Sequence, residues 1–243
     1  MPWWNGTCAT SVENPVDKVD KSRWGLGLPA GGAVLGVFAK QPRPGRVKTR
    51  LSPPLSAAQA CALYRIALQE TVVRLTAGPA APVLCCAGRR SWFARTFPGV
   101  PLLAQGRGDL GARLTRMTAA LFAAGGGPVA VVGSDSPDLP LALIDAAFAA
   151  LADAEAAAIP CTDGGFALLA LRRPVPQLFT GLPWSTPAVL TALQQRAAAL
   201  GVRLATVGAW DDLDDAAALR RLLARSPECA TARYVRAHLG SVL

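Results

Sequence analysis

The sequence predicts an α/β domain built on a mainly parallel sheet, and three observations carry that expectation. From residue 33 onward, short β-branched or apolar runs alternate with Ala-, Leu- and Gln-rich stretches of helical length. Cap residues stand at the junctions: Ser56 and Asp109 occupy positions where helix N-terminal caps or first-turn acids belong. The strand-then-helix order repeats along the segment, as it does in βαβ units.

The elements follow in order. The apolar run 33–38 (AVLGVF) reads as the first strand, and Pro42, Pro44 and Gly45 forbid its continuation and stiffen a turn. A helix is expected over 56–77, a strand over 82–87 and a second helix over 108–124. Strand 128–132 is a buried-strand run ending before Gly133, and the next helix, 140–152, starts at Pro140 with Asp138 reading as its cap. Strands 156–160 and 166–171 flank the segment Asp163-Gly164-Gly165, which suits a hairpin turn. Pro187 delays a helix over 186–200, with Ser185 or Thr186 as its cap. Strand 203–207 then precedes helices 214–224 and 229–239. Residues 1–30 show no sustained period and read as an irregular N-terminal arm, leaving 31–243 as a single domain.

At 243 residues and 51% hydrophobic content the chain can bury a large core. No apolar run approaches the roughly 20 residues of a spanning helix, and the N-terminus lacks the basic-then-apolar order of a secretory signal, so a soluble cytoplasmic protein is expected. The six cysteines form no C-x-x-C pair, and His238 is the only histidine; zinc-ligand spacing and Ser-His-Asp or Cys-His catalysis are therefore not supported. Reduced, mostly buried thiols are expected. The net charge of +9 favours an anionic partner without choosing among phosphate, nucleotide and nucleic acid.

In parallel sheets ligands bind beyond the carboxyl ends of the strands, so the chemistry is sought in the loops. The stretch AKQPRPGRVKTRL (39–51) places Lys40, Arg43, Arg46, Lys48 and Arg50 directly after the first strand. If extended, it would set Arg46, Lys48 and Arg50 on one side. Guanidinium forks and ammonium point charges together suit a polyphosphate, although a solvated basic turn has the same composition. GSDSPDLP offers Asp135 at a strand tip, where one carboxylate can hold Mg²⁺ or Mn²⁺ against ligand phosphates. WDDLDDAAAL brings Asp211, Asp212, Asp214 and Asp215 before a helix, whose positive end they could simply favour. In AQGRGDLGARL, Gln105 and Arg107 could touch a base or ribose, or the stretch only serves a capped helix start whose first turn contains Asp109. Trp184, Ser185 and Thr186 could line an acceptor pocket or only begin a helix.

Taken in order, VFAKQPRPGRVKTRL, QGRGDLGARL, GSDSPDLP, PCTDGGFALLAL, PWSTPAVL and DDLDDAAAL resemble a bacterial family of the glycosyltransferase-A superfamily. Its members are filed as uncharacterised glycosyltransferases or as radical-SAM/selenodomain-associated transferases linked to arsenosugar biosynthesis. The superfamily also holds nucleotidyltransferases such as 2-phospholactate guanylyltransferase and the molybdenum-cofactor guanylyltransferase. The resemblance covers about residues 33–225 and implies a three-layer αβα, Rossmann-like fold with a mainly parallel mixed sheet, the nucleotide-diphospho-sugar transferase fold.

The resemblance also implies roles. Lys48 and Arg50 match the loop that holds donor phosphates, with Lys40 and Gly45 beside them and Gln105 and Asp109 toward the nucleoside. Asp135 matches the metal-binding aspartate, and Asp212 or Asp214 the late carboxylate that completes the site. Asp163, Gly164 and Gly165 look like part of the acceptor side, with Trp184, Ser185 and Thr186. Phe166 stands where relatives often carry Tyr, and Ala170 where Gly is frequent.

The implied activity is a Mg²⁺- or Mn²⁺-dependent transfer from a nucleotide-activated donor, foremost glycosyl transfer from a nucleoside diphosphate sugar to a small-molecule acceptor. Nucleotidyl transfer from an NTP to a phosphorylated small molecule is the alternative, and the basic first loop argues for it. A non-catalytic nucleotide- or nucleic-acid-binding protein is a third reading, which the clustered aspartates oppose because they repel a phosphate backbone.

Overall fold

The structure, a computed structural model, describes residues 26–28 and 30–240. Its centre is a seven-stranded sheet of β1 (Val34–Lys40), β2 (Ala81–Ala87), β3 (Leu102–Ala104), β4 (Val129–Gly133), β5 (Ala156–Pro160), β6 (Phe166–Leu171) and β7 (Leu204–Thr206). The spatial order is β3-β2-β1-β4-β6-β5-β7. β6 runs antiparallel to β4 and β5, while the β1–β2, β1–β4, β2–β3 and β5–β7 pairs are all parallel. The chain builds outward from β1 to β3 and then crosses back to place β4 on the other side of β1. That reversal opens a crevice between the β1 and β4 tips, the position where open α/β sheets take ligands.

Alternation along the strands explains the layers. Leu35, Val37, Ala130 and Val132 face one side, where α1 (Ala57–Thr76), α2 (Arg90–Thr96) and α4 (Leu141–Ala149) contribute Leu68, Phe93 and Ile144 to a common core. Val34, Val83 and Val131 face the other, against Met117 and Leu121 of α3 (Leu110–Gly125) and Leu193 of α5 (Val189–Ala199). Gly36 has no side chain because a Cβ there would lie 2.6 Å from Leu121 Cδ1, so it lets α3 lie close on β1. α6 (Ala216–Arg225) and α7 (Ala230–His238) pack on α1 through a third cluster holding Leu63, Leu219 and Val235.

Local chemistry sets the helix starts. Ser56 accepts a hydrogen bond from Gln59 N while the Gln59 side chain accepts from Ser56 N, a capping box that opens α1. Asp109 caps α3 and Asp215 caps α6. Glu70, from the middle of α1, accepts hydrogen bonds from Ala230 N, Thr231 N and Thr231 Oγ1, and so anchors the N-terminus of α7 from outside its own sequence.

Several expectations are corrected. α2 and β3 were not anticipated, being only seven and three residues long. The helix expected over 140–152 is α4 followed by a 3-10 turn at Ala150–Ala152. α5 starts three residues later than expected: neither Ser185 nor Thr186 caps it, and Thr186 Oγ1 instead donates to Pro183 O and accepts from Ala188 N in the preceding turn. Of the arm expected over residues 1–30, positions 1–25 and 29 lie outside the described residues, and Leu26 and Leu28 pack against the α3-side core. Cys61, Cys85, Cys86 and Cys161 are free and buried, as expected, and Cys229 is free and half-buried.

Asp138 is not a cap either. It is buried, accepts two hydrogen bonds from Arg225 (2.6 and 3.0 Å) and a third from Ser226 Oγ (2.9 Å), and thereby ties α6 to the loop after β4. Asp138→Ala should cost about 3 kcal/mol in urea-monitored stability because it strands Arg225 beside a buried gap. A loss below about 1 kcal/mol would show that solvent already screens this pair.

Candidate active site

The loops that follow β1, β3, β4, β5 and β7 all emerge at one edge of the sheet, because those strands are mutually parallel. The first of them, 41–56, is not extended. Pro44 and Gly45, the latter at φ 71°, form a turn closed by Arg46 N donating to Arg43 O at 3.0 Å. Val47 then anchors the loop by burial, Lys48 adopts a left-handed conformation (φ 48°), and a 3-10 turn at Thr49–Leu51 buries Leu51. The left-handed residue turns the Lys48 side chain inward while Arg50 stays mostly exposed.

The Lys48 ammonium donates to Asp135 Oδ2 at 2.7 Å and to Asp214 Oδ1 at 2.8 Å, with only 4% of its side chain exposed. Burial by itself lowers an ammonium's pKa, but the Asp135 and Asp214 carboxylates outweigh it and hold Lys48 above its ordinary value. Arg50 donates to the other oxygen of Asp214 at 3.2 Å. Burial alone would raise Asp214, yet Lys48 and then Arg50 bring it below the usual carboxylate range.

Asp135 sits two residues beyond β4, and the extended segment 210–215 runs alongside it. Leu213 N donates to Asp135 O at 2.9 Å and Trp210 N to Pro160 O at 2.9 Å, which fixes that segment at the tips of β4 and β5. Alternation then points Asp211 and Leu213 inward and leaves Asp212 and Asp214 on the cleft side. Asp211 is a structural residue: it accepts from Thr162 and from Arg221 Nε (2.7 Å), while Arg225 lies over the Trp210 ring at 4.4 Å.

One carboxylate oxygen from each of Asp135, Asp212 and Asp214 falls within 4.8 Å of the others. Burial first, then the Asp135 and Asp214 charges, push the Asp212 carboxyl up to about 7. Three hard oxygen donors, two of them shared with Lys48, fit a divalent cation such as Mg²⁺ or Mn²⁺, which needs only one or two carboxylates and fills its other positions with water or phosphate.

Two clefts meet at this cluster and share a wall of Phe38, Arg50 and Asp214. The smaller, of about 240 Å³, is lined by Lys40, Arg46, Lys48 and Thr49. Its floor carries a hydroxyl pair that sequence reasoning missed: Tyr64 Oη accepts from Lys40 N at 3.1 Å and lies 2.8 Å from Ser134 Oγ. The signal was a lone tyrosine in the apolar stripe of α1, whose hydroxyl needs a partner once buried. The larger cleft, of about 380 Å³, lies among the β4 and β6 tips, the start of α3 and residues 184–189. Trp184, Ser185 and Thr186 line it, with Asp163 and Gly165.

The β5–β6 hairpin does more than turn. Asp163 Oδ1 accepts from Gly165 N at 2.9 Å. Gly164, at φ 84°, is pressed against residues 187–190: a Cβ there would collide with the Pro187 carbonyl, and Leu190 N donates to Gly164 O at 2.9 Å. The 184–189 segment is thus held beside Asp163.

Gln105 and Asp109 do not face the clefts as expected. Gln105 is buried, its amide donating to Cys85 O at 2.7 Å, because the end of β3 turns it into the sheet layer. The Asp109 carboxylate is used as the α3 cap, accepting from Ala112 N at 2.8 Å. Gly45 lines neither cleft and serves the turn. Arg43 is exposed and bonded to Gln41, whereas Arg46 reaches the cation-lined cleft.

An open sheet with β1 and β4 central, one antiparallel strand and carboxylates at the strand tips defines the nucleotide-diphospho-sugar transferase fold of the Rossmann-like type. The comparisons agree with that class. Residues 71–186 match the model of a family described as an uncharacterized protein conserved in bacteria (DUF2064). A candidate nucleotide-diphospho-sugar transferase from Desulfovibrio desulfuricans G20 is 27% identical, with a TM-score of 0.79 over 86% of this chain and 96% of that one. CMP:2-keto-3-deoxy-manno-octonic acid synthetase, solved with CTP, shares the fold at 16% identity and a TM-score of 0.52, over 79% of this chain and 97% of that one. So does a Mycobacterium tuberculosis H37Rv protein solved as a complex with manganese, at 17% identity and 0.50, over 80% of this chain and 99% of that one. No curated protein matches the chain in sequence. Among the described residues no helix is long and apolar enough to cross a membrane.

The Asp212 shift has a measurable sign. The folded chain keeps this proton up to about pH 7, whereas the unfolded chain loses it near its ordinary value of 3.8. The contribution to stability is therefore full below about pH 4 and is lost as pH rises through about 7. Without metal, Asp212→Asn should gain melting temperature relative to wild type between about pH 5 and pH 8, and a difference independent of pH would contradict the shift.

Proposed function

We propose that this chain is a divalent-metal-dependent transferase that uses a nucleotide-activated donor, in the form of glycosyl transfer from a nucleoside diphosphate sugar to a small-molecule acceptor. The observation that carries the reading is the pair of clefts meeting at Asp214 and Arg50, one walled by cations and the other largely apolar. Their separation matches a donor whose phosphates must be neutralised and an acceptor that must be positioned.

Lys40, Arg46, Lys48 and Arg50 hold the donor phosphates and stabilise the charge that develops on the leaving nucleoside diphosphate. Lys48 exchanges carboxylate partners for phosphate oxygens as the donor enters. Asp135, Asp212 and Asp214 are the residues to hold a Mg²⁺ or Mn²⁺ ion, which when bound supplies further charge neutralisation at the diphosphate. The manganese complex of the mycobacterial fold relative is in keeping with such an ion. The larger cleft orients the acceptor, with Asp163, Trp184, Ser185 and Thr186 on its walls.

Nucleotidyl transfer from an NTP is the second reading, favoured by the four cations around the small cleft and by the CTP complex of the synthetase relative. Three carboxylates set among those cations oppose a nucleic-acid partner, whose phosphates would meet both signs of charge. The buried thiols of Cys61, Cys85, Cys86 and Cys161 are in keeping with a reducing cytoplasm. The match over residues 71–186 supports membership of that bacterial family, and from the ordered motifs alone we further propose the radical-SAM/selenodomain-associated, arsenosugar-linked transferases as its kin.

Two measurements test the function. A thermal-shift panel of NTPs and nucleoside diphosphate sugars should raise the melting temperature only with Mg²⁺ or Mn²⁺ present, since a ligand that binds the native state stabilises it. NDP release from a sugar donor supports the glycosyl form; pyrophosphate release from an NTP with a phosphorylated acceptor replaces it with the second reading. Lys48→Met should lower nucleotide affinity at least about tenfold. It should at the same time tighten Mn²⁺ binding to the nucleotide-free protein, because Lys48 competes for Asp135 and Asp214; weaker Mn²⁺ binding in a folded variant would count against shared ligands.

A further inference from the structure

We infer that the larger cleft selects an uncharged, polyhydroxylated acceptor with a flat apolar face, and that Asp163 rejects phosphorylated forms of the same molecule. The inference rests on the donor-transferase reading and names the acceptor class of that same site.

The charge inventory of the cleft carries it. Its anionic groups are Asp163, Asp212 and Asp214, and its cation is Arg50, which Asp214 already engages at 3.2 Å. Lys40, Arg46 and Lys48 line the other cleft and not this one. With Asp212 and Asp214 given to a divalent ion that the donor phosphates engage, Asp163 is the carboxylate left to face the acceptor; a phosphate there would meet it with no unengaged cation among the described lining residues, and like charges in a partly desolvated cleft repel strongly. Ionised carboxylates accept hydrogen bonds and cannot donate them. Asp163 Oδ1 is already committed to Gly165 N, which leaves Oδ2 for a ligand donor, and a sugar-like hydroxyl supplies one.

The apolar walls define the rest of the ligand. Phe38, Leu114, Val131, Phe166 and Trp184 all contribute to the lining. Phe166 adds ring surface with no hydroxyl at the position nearest the β6 tip. The half-buried Trp184 packs on the start of α3: Gly111 leaves room for its indole, since a Cβ there would lie 2.8 Å from Trp184 Nε1. An aromatic face packed this way suits the C–H face of a pyranose or an aryl group. The volume of about 380 Å³ lies within the range of small-molecule sites and exceeds that of a lone hydroxyl or water cluster. The Ser185 hydroxyl, also on the lining, can donate to or accept from the ligand's hydroxyls, whereas the Thr186 proton is already given to Pro183 O.

The test uses the full chain and a matched pair of probes, phenyl β-D-glucopyranoside and its 6-phosphate, with saturation-transfer difference NMR as a readout that needs no turnover. The neutral probe should bind with its aryl protons most strongly saturated, and the 6-phosphate should bind at least about tenfold more weakly. Asp163→Asn should narrow that ratio while keeping the neutral probe bound, because the amide still accepts a hydrogen bond but carries no charge. Trp184→Leu, checked for an unchanged melting temperature, should abolish the aryl saturation. Equal or tighter binding of the 6-phosphate, or no transfer to the neutral probe, overturns the inference. Nucleotide-induced stabilisation is read separately, so a cleft that takes the neutral probe in a protein no nucleotide stabilises sinks the donor reading alone. Nucleotide binding combined with preference for the 6-phosphate sinks this inference alone and leaves nucleotidyl transfer in its place.

Discussion

The ammonium of Lys48, held between Asp135 and Asp214, is the contact on which the arrangement of the site depends. It joins three segments that share no secondary structure: the loop after β1, the tip of β4 and the extended run before α6. Without a cation at that point three carboxylates would crowd within 4.8 Å at the sheet edge, and burial first, then the Asp135 and Asp214 charges, raise the Asp212 carboxyl even with Lys48 present. The same contact divides the crevice, because Lys48 and Asp135 line the small cleft while Asp212 lines the large one.

Behind this cluster stands a second layer of charge that is structural. Asp211 and Asp138 face Arg221, Arg225 and Ser226, and Trp210 stacks under Arg225. Aspartates 211, 212 and 214 thus have opposite duties set by strand-like alternation: the odd one holds the segment down and the even ones are left to the cleft. Asp215 turns to cap α6. A run of four acids that reads as a helix-favouring cluster in one dimension resolves into an anchor, two site carboxylates and a cap.

The fold was legible because its strands and long helices carry strong patterns. β5 and β6 match their expected bounds, and α1 is announced by Ser56 and Gln59. β3 was not legible, since three residues present no period and its place comes from pairing with β2. Asp135, Lys48 and Arg50 could be singled out because they follow strand ends. What could not be read was direction. Nothing in the sequence marks Lys48 as left-handed, the feature that sends its side chain inward, and the same blindness made Gln105 look like a ligand contact when the sheet swallows its amide. The expected helix caps at Asp138 and Ser185 failed for a related reason: tertiary partners, Arg225 for one and the Gly164–Pro187 contact for the other, outcompeted the local role.

Asp214 lies 166 residues after Lys48 in the chain. During synthesis the β1 loop leaves the ribosome long before its counter-charge exists, at the ordinary pace of about 5–20 residues per second. Asp135, made 87 residues after Lys48, is the first carboxylate partner the loop can meet, and the second arrives only with Asp214. The segment bearing Asp212 and Asp214 is clamped by Arg221 and Arg225 of α6 on Asp211, and α7 is in turn held by Glu70 of α1, an early helix waiting for a late one. The site therefore closes only once Asp214 has been made, long after the loop that it completes.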